Sequence, residues 1–163
     1  MKESILSGKR ILAVDDEPDV LSTLEAEILD TCRDCHLERA TTYEEASAKL
    51  KSGSYDVVIL DIMGVQGFDL LDLAVKRNFK VAMLTAHALS PEDLKRSMEM
   101  GARAYLPKQM LGEIVFFLDD MLEYDYSRGW KHILKRLEGI FNNLWGFEWQ
   151  AYVETYWKEF NDK

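Results

Sequence analysis

Five short apolar runs recur along this chain, and a segment of helical periodicity follows each one. The runs are Arg10–Val14, Cys35–Ala40, Val57–Asp61, Val81–Leu84 and Ala104–Leu106. Four of them sit in the strings ILAVDD, VVILD, VAMLT and AYLPK. Their nearly unbroken apolar character is that of parallel strands buried on both faces, not of strands with one wet side. The second run is the least apolar and suits a sheet edge. The intervening segments predict helices. Pro18 opens one that runs to about Asp30, with Leu21, Leu24, Ile28 and Leu29 on one face. Thr42 is placed as an N-cap, with Glu45 completing a capping box, for a helix Tyr43–Lys51 that Gly53 ends. Gly67 leads into Phe68–Lys76. Ser90, Pro91 and Asp93 start a helix ending at Met100 before Gly101, and Leu111–Tyr124 forms the last helix of the unit. Strict alternation of strand and helix predicts an α/β domain, a parallel sheet covered on both faces and joined by right-handed crossovers.

The pattern changes after residue 124. Trp130, Ile133, Leu134, Leu137, Phe141, Leu144 and Trp145 recur at steps of three and four, so Arg128–Trp145 is one amphipathic helix. Gly146 breaks it, and Tyr152, Val153, Tyr156, Trp157 and Phe160 continue the pattern in a second helix. The expected organisation is therefore a domain over residues 1–124 and a helical hairpin over 125–163. All four tryptophans lie in the hairpin. It can pack back on the domain, pair with a second copy, or dock a protein partner.

Charge sharpens this division. Residues 1–124 carry 14 basic and 23 acidic side chains, whereas residues 125–163 carry 6 of each. Neither part has the basic footprint of a nucleic-acid binder. No apolar run is long enough to span a bilayer, and MKESILSGKR lacks the apolar core of a signal peptide, so the expectation is a cytoplasmic protein without a membrane role. Cys32, Cys35 and His36 spell a haem-attachment string. They fall where the first helix turns into the second strand, without an export signal. A zinc site needs a fourth ligand, and a reactive dithiol needs a helix N-terminus. The expectation is two ordinary thiols, one of them buried.

Candidate chemistry gathers at the strand ends. Asp15, Asp16, Asp61, Thr85 and Lys108 each follow an apolar run, and ligands of open α/β sheets bind just outside the carboxyl ends of the strands. Three carboxylates, a hydroxyl and an ammonium thus converge in one crevice. Adjacent buried acids call for a cation. Mg²⁺ takes one or two carboxylates and leaves room for phosphate oxygens. Asp16 is the expected direct ligand, Asp15 its partner, and Glu17 an outer contributor; helix capping by the same acids accounts for only one of them. Asp61 can attack a phosphorus as a nucleophile, while Lys108 and Thr85 can hold two phosphoryl oxygens.

On the strings ILAVDDEPD, VVILDIM, MLTAHA and GARAYLPK, residues 9–124 resemble the receiver domain of bacterial two-component response regulators. The resemblance implies a flavodoxin-like five-stranded sheet in the order 2-1-3-4-5. It implies Mg²⁺ on Asp15, Asp16, Asp61 and the Met63 carbonyl, and phosphoryl transfer to Asp61 from a histidine kinase or phosphotransfer protein. Thr85 and Lys108 would hold the phosphoryl group, and Tyr105 would be the aromatic switch. No substrate turnover is implied. Two departures stand out. The loop Asp61-Ile-Met-Gly-Val-Gln-Gly67 is about two residues short, and Gln109 replaces a family proline whose preceding bond is cis; before Gln109 a trans bond is expected, because cis costs about 3 kcal/mol there. These departures keep an alternative open: a phosphorylation-independent interaction or dimerisation module with the same fold. A haloacid-dehalogenase-like enzyme needs an acid where Met63 stands. A flavodoxin needs a hydroxyl-rich loop where Asp15-Asp16-Glu17 stands. The short neutral tail does not fit a winged-helix transcription factor.

Overall fold

The computed structural model describes residues 5–86 and 90–162. It contains a five-stranded sheet in the order β2-β1-β3-β4-β5, all pairs parallel. The strands are β1 (Arg10–Val14), β2 (His36–Ala40), β3 (Val57–Asp61), β4 (Lys80–Thr85) and β5 (Ala104–Pro107). Between and after them run α1 (Pro18–Thr31), α2 (Tyr43–Ser52), α3 (Gly67–Lys76), α4 (Pro91–Glu99) and α5 (Ile114–Glu123). All of β3 is buried, as an apolar run sandwiched between two helical layers must be. The reversal of strand order falls between β1 and β3, which opens a crevice above their carboxyl ends.

Local chemistry sets the helix boundaries. Thr42 accepts from the Glu45 amide as the N-cap of α2. The Glu45 carboxylate reaches back to the Thr41 amide, one residue short of the capping-box position. Ser90 caps α4 by accepting from Asp93 N. Two expectations are corrected. The last helix of the unit does not start at Leu111. A 3₁₀ turn occupies Lys108–Glu113, with Met110 out of helical geometry, before α5 begins. The second strand starts at His36, because Cys35 still belongs to the turn that closes α1.

The hairpin consists of α6 (Tyr126–Trp145) and α7 (Trp149–Asn161). Of the three arrangements open to it, the structure has it packed back on the domain. Helix α6 lies against α5 and β5, and α7 lies against α4. Trp130 and Phe141 are fully buried in the same apolar cluster as the sheet. Trp130 Nε1 donates to the Ala102 carbonyl at 2.9 Å, and Tyr126 Oη donates to the Met98 carbonyl at 2.6 Å. Asp120 is a buried acid on α5, and it accepts from Arg136 Nε of α6 at 2.6 Å. The helical face seen in the sequence is thus an extension of the core.

Candidate functional site

The register carries the strand-end residues together. Asp61 is level with Leu84, and Thr85 with Pro107, so the ends of β3, β4 and β5 form one rim. Asp15 and Asp16 follow β1 at that rim, and the Asp15 amide donates to the Ala40 carbonyl of β2. Carboxylate oxygens of Asp15, Asp16 and Asp61 lie within 4.8 Å of one another. Asp15 is fully buried and Asp61 nearly so, while Asp16 is exposed.

Lys108 enters this cluster from the end of β5. Its Nζ lies 2.8 Å from Asp15 Oδ2, 3.2 Å from Asp61 Oδ1 and 3.2 Å from Glu17 Oε1. One ammonium therefore bridges three carboxylates. The approach to Asp15 Oδ2 is an ion pair off the hydrogen-bonding direction, which leaves this buried oxygen without a well-aligned hydrogen bond. The other oxygen, Oδ1, accepts from the Glu17 amide at 2.9 Å. Burial pushes the Asp15 carboxyl above its ordinary value, and the Asp61 charge adds to the rise; Lys108 and the Glu17 amide only partly offset it. Burial also works against the Lys108 charge, but the Asp15 and Asp61 carboxylates outweigh it and hold the ammonium above its ordinary range.

The short loop after Asp61 gives a contact that the sequence reading missed. The Gly64 amide donates to Asp61 Oδ2 at 3.0 Å. Both oxygens of Asp61 are thus committed, one to a cation and one to a backbone donor. The loop is tight at both of its glycines, and at Gly67 the obstacle is backbone. A Cβ on Gly64 would lie 2.2 Å from Asp16 Oδ1, and one on Gly67 would lie 2.2 Å from the Asp61 carbonyl oxygen. Gln66, between them in the chain, takes a left-handed φ of 55° as the N-cap of α3. A glycine three residues after a strand-end acid was the available signal, since close backbone approach is what glycine permits.

A cavity of about 390 Å³ opens over the cluster, lined by Asp16, Glu17, Asp61, Met63, Gly64, Ala86 and Lys108. Met63 is 63 % exposed at its mouth. Thr85, at the end of β4, and Tyr105, level with Met83 two residues before the rim, are both buried. The Thr85 side chain and the Ser90 backbone lie within hydrogen-bonding reach of the Tyr105 hydroxyl. Burial raises the Tyr105 phenol above its ordinary value, so it stays protonated as a donor. Among the described residues no peptide bond is cis, so the Lys108–Gln109 bond is trans, as its residue types predicted. Oxygen donors, an under-bonded buried carboxylate oxygen and open space fit a small hard divalent cation.

The cysteines lie at the opposite end of the sheet. Both are buried, not one, and their sulfurs are 2.8 Å apart. Burial pushes the Cys35 thiol up to about 12. His36 beside them is exposed and joins no metal cluster among the described residues.

A five-stranded parallel sheet in this order, with an acid triad, a hydroxyl and a lysine at its carboxyl rim, defines a CheY-like receiver. The profile of the response regulator receiver domain matches residues 11–115. The chain belongs to that family, the receiver domain of two-component systems. It is 34% identical over 105 residues to the two-component response regulator ARR18 of Arabidopsis thaliana, a match covering 62% of this chain and 16% of that protein. It is 35% identical over 109 residues to the gliding motility regulatory protein of Myxococcus xanthus, covering 63% and 14%. These matches span only about one seventh of the relatives' lengths. Among solved structures, the CheY-like receiver domain protein of Methanospirillum hungatei superposes with a TM-score of 0.59 at 28% identity, covering 72% of this chain and 98% of that one. The chemotaxis response regulator CheY4 of Vibrio cholerae gives 0.61 at 25%, covering 71% and 100%. The family profile ends at residue 115, before the hairpin begins.

Proposed function

We propose that this chain is a phosphorylation-controlled switch, with Asp61 the acceptor of a phosphoryl group from a phosphohistidine on a histidine kinase or phosphotransfer protein. The observation that carries the proposal is the Lys108 ammonium shared between buried Asp15 and Asp61, beside a third carboxylate. In the transfer, an Asp61 carboxylate oxygen attacks phosphorus, an O–P bond forms, the N–P bond breaks, and the imidazole leaves and regains its proton from solvent. Asp61 Oδ1 is the oxygen held by a mobile side chain and not by backbone, so it is the nucleophile; the Gly64 amide steadies Oδ2. Lys108 then turns from two carboxylates to a phosphoryl oxygen, and Thr85 donates to another.

Asp15, Asp16, Asp61 and the Met63 carbonyl would hold Mg²⁺, which supplies charge neutralisation between the incoming phosphoryl oxygens and the acid cluster. With one ammonium against three to four carboxylates, the crevice is short of positive charge until such an ion is bound. Met63 stands where a haloacid-dehalogenase-like enzyme would carry its general acid–base, in keeping with a switch and not a turnover catalyst.

The test is intact mass after incubation with acetyl phosphate and Mg²⁺. The expected result is a metal-dependent adduct of one phosphoryl group, absent from Asp61→Asn. A folded protein without adduct assigns the chain to phosphorylation-independent interaction; labelling that survives in Asp61→Asn assigns another acceptor.

A further inference from the structure

Cys32 and Cys35 stand at the two ends of one tight turn. Cys32 is the C-cap of α1, Arg33 and Asp34 form the turn, and the Cys35 amide donates back to the Cys32 carbonyl at 3.4 Å. The first and fourth residues of a β-turn have Cα atoms under about 7 Å apart, which is the range a disulfide spans. Their side chains turn to the same side, because the two sulfurs lie 2.8 Å apart. A bonded pair needs about 2.05 Å, so a shift of less than about 1 Å closes the gap.

The hydrogens that such a bond displaces are dispensable. The Cys35 S–H faces two acceptors, the Leu6 carbonyl at 3.0 Å and Cys32 Sγ. The Cys32 S–H donates to Asp34 Oδ1 at 3.1 Å. Without these donors the Leu6 carbonyl keeps the Lys9 amide at 2.9 Å. The Asp34 carboxylate keeps Ser7 Oγ at 2.6 Å and is exposed to water. Oxidation therefore orphans no buried acceptor, which is the usual penalty for removing a buried donor. It also replaces two weakly polar S–H groups by an apolar bond inside the apolar cluster.

We propose that Cys32 and Cys35 are a redox modification site: a small-molecule disulfide of the glutathione class oxidises them to an internal disulfide that clips the end of α1 to the start of β2. Cys32 is the attacking residue, because the Cys35 S–H points at its sulfur and steadies the thiolate. The Cys32 thiolate attacks one sulfur of the oxidant, forming a mixed disulfide and expelling one thiolate. The Cys35 thiolate then attacks Cys32 Sγ, forming the internal bond and expelling the second. The two cysteine protons pass to the two departing thiolates, and the chain loses the two electrons that the oxidant gains. Burial raises both thiols, so the exchange is slow, and the same burial shields the finished bond from reducing thiols. The site registers lasting oxidation and does not turn over. It is independent of phosphoryl acceptance at Asp61.

The experiment equilibrates the full chain with mixtures of reduced and oxidised glutathione, folded and in urea, quenches in acid, and reads intact mass and peptide maps. Refolding from urea in the same mixtures reaches the folded endpoint even where entry to the buried thiols is slow. Expected is the loss of two hydrogens, mapped to Cys32 and Cys35. The oxidised-to-reduced ratio should be higher in the folded than in the unfolded chain by on the order of tenfold, because the turn already holds the sulfurs in contact. Cys35→Ser should halt with one glutathione on Cys32. A ratio no higher in the folded chain than in urea overturns the inference. So does a glutathione adduct that persists on the unaltered chain, or a bond between two chains in place of the internal one.

Discussion

The phosphoryl crevice and the hairpin interface both bury polar groups, and they treat them in opposite ways. At the interface each buried donor is matched. The Trp130 indole, the Tyr126 hydroxyl and the Arg136 guanidinium each have an acceptor within 2.9 Å, and Trp149 Nε1 donates to Asn142 at 2.8 Å. In the crevice one ammonium serves three carboxylates, and an oxygen of Asp15 stays without an aligned hydrogen bond. A matched interface contributes stability and resists change. A mismatched cluster costs stability and responds to whatever arrives with charge. The molecule places its electrostatic deficit where a ligand enters and its satisfied contacts where an element must stay docked.

The largest expected effect tests the interface half of this contrast. Trp130→Ala removes a fully buried indole and should lower stability by about 4 kcal/mol, read as a fall in the urea midpoint. Trp130→Phe keeps most of the apolar volume and orphans only the Ala102 carbonyl, so it should cost about 1–2 kcal/mol. Equal losses for the two would mean that the hydrogen bond, not packing, anchors α6.

The crevice should behave differently. Lys108→Ala leaves buried Asp15 and Asp61 facing each other and should lower stability at neutral pH by about 3 kcal/mol. Unlike the Trp130 loss, it should be recovered in part by millimolar Mg²⁺, because an ion bound to the folded state alone adds stability by mass action. No recovery in thermal melts with added Mg²⁺ would deny that the acids form a cation site. Gly64→Ala is expected to be milder still. Its Cβ meets the end of the flexible, exposed Asp16 side chain, which can swing away. Stability should change by less than about 1 kcal/mol, while Mg²⁺ affinity in an isothermal titration should fall about tenfold as Asp16 leaves the cluster.

The smallest effect concerns Cys32 and Cys35, which lie far from either region. With burial raising both thiols, and Cys35 to about 12, little thiolate exists at neutral pH. Thiol labelling of the folded protein should be slow at pH 7.5, accelerate as pH rises, and become fast at any of these pH values in denaturant.

The strands and the rim residues were legible because the signals are local and repeated, whereas the strand order came only with the family resemblance. Each strand is an apolar run ending in a chemical group, and a parallel sheet puts those ends on one side. Helix starts at Pro18, Thr42 and Ser90 were legible for the same reason, since a cap is a property of four residues. What escaped depends on closeness in space. The Gly64 amide on Asp61 arises from a loop two residues short; the glycine marks a close backbone approach but not the group it approaches. The 3₁₀ turn over Lys108–Glu113 lies inside an otherwise helical pattern, and only its packing beneath α1 and β5 separates it from α5. The hairpin's periodicity gave its apolar face but not what that face covers. Its partner turned out to be Tyr105, a residue 36 positions from Phe141 in the chain.

Strand β5 closes one side of the sheet, and α6 lies along it. The strand at the other side, β2, guards its open row of amides and carbonyls with Glu38 and Arg39, charges that discourage a neighbour from adding on. The sequence of β5, AYLP, has no charge and relies on its covering helix. Lifting α6 would therefore expose an unprotected template for backbone pairing with another chain. Any state with the hairpin fully detached is one the protein must keep brief or fill at once with a partner, and deletion of residues 126–162 is predicted to yield a domain that self-associates, visible as growth in light scattering with concentration.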